Sequence, residues 1–161
     1  MQNTRHNQNT VARNEADTRQ LAVLLAQSIV PGDVIYLEGD LGTGKTFFSQ
    51  ALIAALGFTG KVLSPTYSLV NSYPVSTPLT RLHHFDLYRL TSPEELEYIG
   101  IRDYCNQDDV CLIEWPSKGV GIIPPASITI TLKYGAPNPA ASVEQSLLCQ
   151  TRLLSIQFEH A

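Results

Sequence analysis

The stretch that constrains this chain most is Gly39-Asp40-Leu41-Gly42-Thr43-Gly44-Lys45-Thr46. It fits G-x-x-x-x-G-K-[ST], the pattern of a loop that cradles phosphates. Its glycines let the backbone bend until successive N–H groups face a polyphosphate. Lys45 can reach the β- and γ-phosphates as a mobile point charge, and Thr46 can offer its hydroxyl to Mg²⁺. A helix opening at Gly44 aims its positive end at the same anions. Such a loop needs a strand before it and a helix after it. Val34-Ile35-Tyr36-Leu37 is a continuous apolar run suited to a buried parallel strand. Phe47, Phe48, Ala51, Leu52, Ala55 and Leu56 then recur at helical spacing until Gly57.

The remaining pattern extends this unit into an α/β fold. Residues 1–13 are polar and predict a flexible N-terminus, leaving 14–161 as a single domain. Asn14, with Asp17 three positions on, caps a helix whose apolar stripe is Leu21, Leu24, Leu25, Ser28 and Ile29, ended by Pro31-Gly32. Val62-Leu63 begins a second extended run, and Ser68 to Tyr73 continues after Ser64-Pro65-Thr66-Tyr67. Two prolines, Pro74 and Pro78, mark a hairpin loop before a strand over Leu79 to Leu87. Ser92-Pro93-Glu94-Glu95 carries a serine cap, a proline and a capping-box glutamate, and starts a helix that fades at Gly100. Val110 to Ile113, Ser127 to Leu132 and Arg152 to Phe158 read as strands, while 117–125 and Gly135 to Ser142 read as loop and turn. The expectation is a three-layer P-loop NTPase-like domain with a mostly parallel central sheet.

Composition enters mainly by exclusion. A net charge of −4 argues against broad electrostatic binding of naked nucleic acid. No apolar run approaches a membrane span, and the polar N-terminus lacks a signal-peptide core. Cys105, Cys111 and Cys149 are odd in number and lack metal-ligand spacing, so they read as reduced thiols of a cytoplasmic protein.

Nucleotide hydrolysis needs a carboxylate toward the metal and a group that orients water. Glu114 ends the strand 110–113, where open α/β sheets present ligands, and is the candidate Mg²⁺ carboxylate. Asp86, in His84-Phe85-Asp86-Leu87-Tyr88-Arg89-Leu90, is either a turn residue or a metal-shell or water-positioning group. Thr66 is either turn chemistry or a switch-like contact to the γ-phosphate. Trp115, the only tryptophan, packs beside the nucleotide or finishes the core. His83 and His84 are neighbours in a strand, face opposite sides, and both read as structural histidines. Arg81, Arg89 and Arg102 are each candidates to neutralise charge at the phosphates.

Taken together, G-D-L-G-T-G-K-T, S-P-T-Y-S-L-V, H-F-D-L-Y-R-L, E-E-L-E-Y-I-G-I-R-D-Y and C-L-I-E-W-P resemble one family, bacterial TsaE (also called YjeE). The resemblance runs from about Asn14 to about Pro125, with the motifs in the family's order. It implies a cytoplasmic ATPase that binds ATP/ADP and Mg²⁺ and associates with TsaD and TsaB. That complex makes N6-threonylcarbamoyladenosine at adenosine 37 of tRNAs reading ANN codons, and tRNA is met indirectly. By position, the resemblance assigns nucleotide contact to Gly39, Asp40, Leu41, Gly42, Thr43, Gly44, Lys45, Thr46 and Phe47, with Thr66 and Trp115. Glu15 and Thr18, in Asn14-Glu15-Ala16-Asp17-Thr18, match the family's segment near the adenine. Thr46 and Glu114 match its Mg²⁺ ligands, and Lys45, Asp86 and Glu114 carry catalysis. There are departures. Thr43 replaces the commoner alanine, Phe47 stands where a threonine is usual, and Gly135-Ala136-Pro137-Asn138 replaces the usual Gly-Arg. The last departure leaves the C-terminal third without an assigned role.

Two other functions share these features. A small-molecule kinase would need a basic lid, and Ser117 to Pro125 offers one lysine and no arginine. An ATP-dependent conformational switch with little turnover would differ in output rather than in site.

Overall fold

The computed structural model describes residues 5–76, 78–135 and 151–159. Among these, β1 (Gln8–Ala12), α1 (Glu15–Ala26), β2 (Val34–Glu38) and α2 (Lys45–Ala55) are followed by the hairpin β3 (Val70–Pro74) and β4 (Arg81–Asp86). Two single-turn helices, α3 (Glu95–Tyr98) and α4 (Ile101–Tyr104), lead to β5 (Val110–Glu114), a 3₁₀ turn at Pro116–Gly119, β6 (Ile128–Tyr134) and β7 (Arg152–Phe158). The strands form one sheet in the order β1-β7-β6-β2-β5-β4-β3.

The sheet is mixed, which corrects the expectation of a mostly parallel one. Its centre, β6-β2-β5-β4, is parallel, whereas β7, β1 and β3 join antiparallel. Burial follows that division. All five residues of β5 are buried, as a parallel strand covered on both faces requires. Ile35, Leu37, Leu82 and Leu112 pack under α1 and α2, while Val34, Phe85, Cys111 and Ile113 pack under α3, α4 and the 3₁₀ turn. Pro74 is tolerated because β3 is an edge strand.

Several local expectations change. Within the N-terminal stretch expected to fray, Gln8–Ala12 pairs with β7 as an edge strand. Its sequence has no apolar alternation, because an edge strand is held largely by backbone hydrogen bonds to its neighbour. Asn7 Oδ1 accepts from the Phe158 N–H (2.8 Å), and Arg5 donates to the Ser28 carbonyl (3.0 Å). Residues 1–4 lie outside the described residues. Asn14 does cap α1, its side chain accepting from the Asp17 N–H (2.9 Å). The buried stripe of α1 is Thr18, Leu21, Ala22 and Leu25, so Leu24 faces outward and the helix ends at Ala26. Val62-Leu63 is not a strand; the Leu63 N–H donates instead to the Tyr73 hydroxyl (3.1 Å). The helix expected from Ser92 is a single turn, although Glu95 does reach back to the Ser92 N–H (3.1 Å). The turn expected between Gly135 and Ser142 falls, beyond Gly135, outside the described residues, as does Cys149.

Candidate functional site

The parallel strands place three loops at one end of the sheet. The Gly39 to Gly44 loop leaves β2 and runs into α2, while Asp86 and Glu114 close β4 and β5 as register partners. A cleft of about 350 Å³ opens there, lined by Leu41, Gly42, Gly44, Lys45, Thr46 and Thr66, with Asp86, Tyr88, Arg89, Glu114 and Trp115. Ligands in open α/β sheets bind at such carboxyl ends.

Lys45 is buried at the centre of this end. Its Nζ donates to the carbonyls of Gly39 (2.6 Å) and Asp40 (2.9 Å) and lies 3.9 Å from the Trp115 ring centroid. Desolvation holds the ammonium below the usual lysine range, and Glu114, Asp86 and Asp40 push the other way. An anion in the cleft would add to that second effect and favour the charged form. The N–H groups of Lys45, Thr46 and Phe47 open α2 and have no partner within the helix. They add a positive dipole end to the same cleft.

Glu114 is 2% exposed and held by two donors. Ser49 Oγ and His84 Nε2 both lie 2.8 Å from its Oε1. His84 is fully buried and, among the described residues, its Nδ1 has no hydrogen-bond partner. With hydrogen on Nε2, the ring donates to the Glu114 carboxylate. Glu114 Oε2 and the Thr46 hydroxyl make no hydrogen bond among the described residues, and both residues line the cleft. Two hard oxygen donors beside a glycine loop form a set able to contribute to a Mg²⁺ shell. Among the described residues no group of three or more His, Cys, Asp or Glu could hold a metal alone.

Asp86 is held differently. Its Oδ1 accepts from the Tyr88 N–H (3.1 Å) and its Oδ2 from the Thr66 hydroxyl (2.8 Å). Thr66 sits on a turn closed by Leu69 N–H to Pro65 carbonyl (2.8 Å), so the carboxylate is coupled to a loop rather than to the core. Opposite, Trp115 adopts a left-handed backbone (φ 58°) and packs tilted against Tyr88, with ring centroids 5.0 Å apart. Its place is the cleft wall over Lys45.

The structure thus gathers Leu41, Gly42, Gly44, Lys45, Thr46, Thr66, Asp86, Glu114 and Trp115 around one cavity. Gly39 and Asp40 lie behind it, holding Lys45 by their carbonyls. Thr43 is fully buried and donates to the Asp40 carbonyl (2.8 Å), which gives the unusual threonine a bracing contact within the loop. Phe47 lies under the Arg19 guanidinium (4.7 Å), outside the cleft lining. Glu15 and Thr18 are on α1, also outside the lining, and the Thr18 hydroxyl is spent on the Asn14 carbonyl (3.3 Å). Of the three arginines, Arg89 alone lines the cleft, stacked on Tyr67 at 4.4 Å.

Sequence reasoning missed Ser49, Tyr88 and the use made of His84. A signal existed for two of them. Ser49 is four residues after Lys45 and so on the same helix face, and His84 is two before Asp86 and so on the same strand face.

Gly39 is fixed by its surroundings. At φ +144°, an added Cβ would lie 2.4 Å from the Leu132 carbonyl oxygen of β6 and 2.8 Å from Thr43 Oγ1. A strand backbone cannot yield that distance. Gly39→Ala is expected to destabilise the protein by about 2–4 kcal/mol. Calorimetric melting at the wild-type temperature would refute this.

Known proteins resemble this chain over most of its length. The family profile described as "Threonylcarbamoyl adenosine biosynthesis protein TsaE" matches residues 12–140. The chain is 48% identical over 120 residues to the tRNA threonylcarbamoyladenosine biosynthesis protein TsaE of Haemophilus influenzae, covering 74% of this chain and 72% of that one. It is 37% identical over 120 residues to the protein of the same description from Bacillus subtilis, covering 74% and 73%. Among solved structures it superposes on Bacillus subtilis YdiB with a TM-score of 0.72 at 26% identity, covering 95% of this chain and 86% of that one.

Proposed function

Because this chain belongs to the TsaE family of threonylcarbamoyl adenosine biosynthesis proteins, we propose that it is a Mg²⁺-dependent ATPase with a P-loop NTPase fold. It works in the cytoplasm with TsaD and TsaB, and its turnover supports formation of N6-threonylcarbamoyladenosine at adenosine 37 of tRNAs reading ANN codons. It meets tRNA through that complex. One observation carries the enzymatic part of this reading. A glycine loop, the N-terminus of α2, Lys45 and the carboxylates of Asp86 and Glu114 converge on a single cleft.

The chemistry is the attack of water on the γ-phosphorus of ATP, giving ADP and phosphate. Loop and helix N–H groups hold the phosphate chain in place, which is where most catalysis of this reaction originates. Lys45 leaves the loop carbonyls for the phosphate oxygens and neutralises the charge that develops there. Thr46 and Glu114 would hold Mg²⁺, which supplies further neutralisation of the β- and γ-phosphate oxygens. Asp86 orients the attacking water, and Thr66 links that carboxylate to a loop able to answer the γ-phosphate. The Arg89 guanidinium at the cleft mouth is available to the same oxygens.

The test is ATP hydrolysis by the pure protein, alone and with the TsaB–TsaD pair, with Lys45→Ala as control. Slow hydrolysis that rises at least tenfold with the pair, and vanishes in the control, is the expected result. Tight ATP binding with no stimulation would remove the partner-activated ATPase and favour the switch. Acceleration only on adding a small phosphoryl acceptor would favour a kinase.

A further inference from the structure

The phosphate loop carries five successive carbonyls, from Gly39 to Thr43, and every one of them is met by a donor. Lys45 Nζ takes those of Gly39 (2.6 Å) and Asp40 (2.9 Å). The Tyr134 hydroxyl donates to that of Leu41 (3.1 Å). Arg152 donates through Nε to that of Thr43 (2.7 Å) and through a terminal nitrogen, at longer range, to that of Gly42 (3.4 Å). Tyr134 and Arg152 are direct register partners on the antiparallel β6–β7 pair, and the guanidinium stacks 4.6 Å over the phenol ring. Gly42 permits this approach, since a Cβ there would lie 2.7 Å from the Tyr134 hydroxyl.

We propose that Tyr134 and Arg152 are positioning residues for the phosphate site, a clamp that holds the loop carbonyls outward so that its N–H groups face the ligand. The inference rests on the nucleotide reading above and deepens it. Lys45 makes such a clamp necessary. One ammonium that moves to a phosphate must loosen its hold on the carbonyls of Gly39 and Asp40. Among the described residues, those of Leu41, Gly42 and Thr43 then remain tied only from the β6–β7 side. Donors fixed in advance spare the site a reorganisation when the anion arrives, and a loosened loop forfeits that advantage. A role also follows for the C-terminal strand, to which sequence alone gave none.

The test uses the full chain with Tyr134→Phe, Arg152→Gln and Arg152→Lys, and two probes, MgATP and inorganic triphosphate, by calorimetry well below melting. Arg152→Gln is expected to weaken both probes about tenfold and Tyr134→Phe about threefold, with Arg152→Lys in between because one donor survives. Amide hydrogen exchange at saturating MgATP should show loop residues 40–43 exchanging about tenfold faster in Arg152→Gln, with β2 and β5 unchanged. A purely structural arginine would lower the melting temperature and leave affinity and loop exchange alone, and that result overturns the clamp. If Arg152→Gln fails to fold, Tyr134→Phe decides, because it keeps the ring and removes only the hydroxyl. Wild-type protein that binds neither probe would sink the nucleotide reading and the clamp with it. Wild-type binding with unchanged variants would sink the clamp alone.

Discussion

Asp86→Asn is expected to lower ATP turnover about a thousandfold while leaving the dissociation constant for MgATP within about threefold of wild type. The local hydrogen bonds explain why the substitution should be silent structurally. Asparagine can keep its oxygen toward the Tyr88 N–H and turn its amide toward Thr66, whose hydroxyl lies 2.7 Å from Ser64 Oγ and can donate there instead. The fold and the Thr66 turn therefore survive, and what disappears is a charged acceptor for the proton of an attacking water. Single-turnover hydrolysis and equilibrium binding separate the two effects. Wild-type turnover in this variant would remove Asp86 from the mechanism. Equal loss of affinity and turnover would make it a binding group instead.

Glu114 should divide differently between stability and chemistry. Glu114→Ala leaves the His84 Nε2–H without its buried acceptor, while the Ser49 hydroxyl keeps the Lys45 carbonyl at 3.0 Å. The cost is about 1–3 kcal/mol, or a fall of roughly 3–10 °C in melting temperature for a chain of this size. Glu114→Gln can keep both bonds on its amide oxygen and should melt within a few degrees of wild type. It removes the negative oxygen that faces the cleft, however, and puts an N–H donor in its place. MgATP should then bind no more tightly than ATP in excess chelator, whereas wild type is expected to gain about tenfold from Mg²⁺. If Glu114→Ala melts like wild type, the buried pair is not structural. If Glu114→Gln keeps its Mg²⁺ enhancement, the metal is held elsewhere.

These two carboxylates show how much of the site was legible in the chain. Asp86 and Glu114 each follow a strand-forming run, and period-two alternation places His84 with Asp86 and Leu112 with Glu114 on one face each. That the two acids would be register partners needed the β4–β5 pairing. Glu15 and Thr18 rest on a local motif match near the expected adenine, and α1 carries them outside the lining of this cleft.

By itself the sequence determined the strand, glycine loop and helix around Lys45, the capped start of α1, and a carboxylate at each of two strand ends. Those features depend on residues within a few positions of one another, through turn geometry, capping and side-chain periodicity, and so leave a local pattern. The tertiary structure decided the edge strand at Gln8–Ala12, the antiparallel flanks of the sheet, and the donors that close on Glu114 and on the loop. Ser49 meets Glu114 across 65 residues of chain, and Arg152 meets Thr43 across 109. Contacts at that separation are set by which strands become neighbours in the sheet, so neither member carries a mark of its partner in the residues around it.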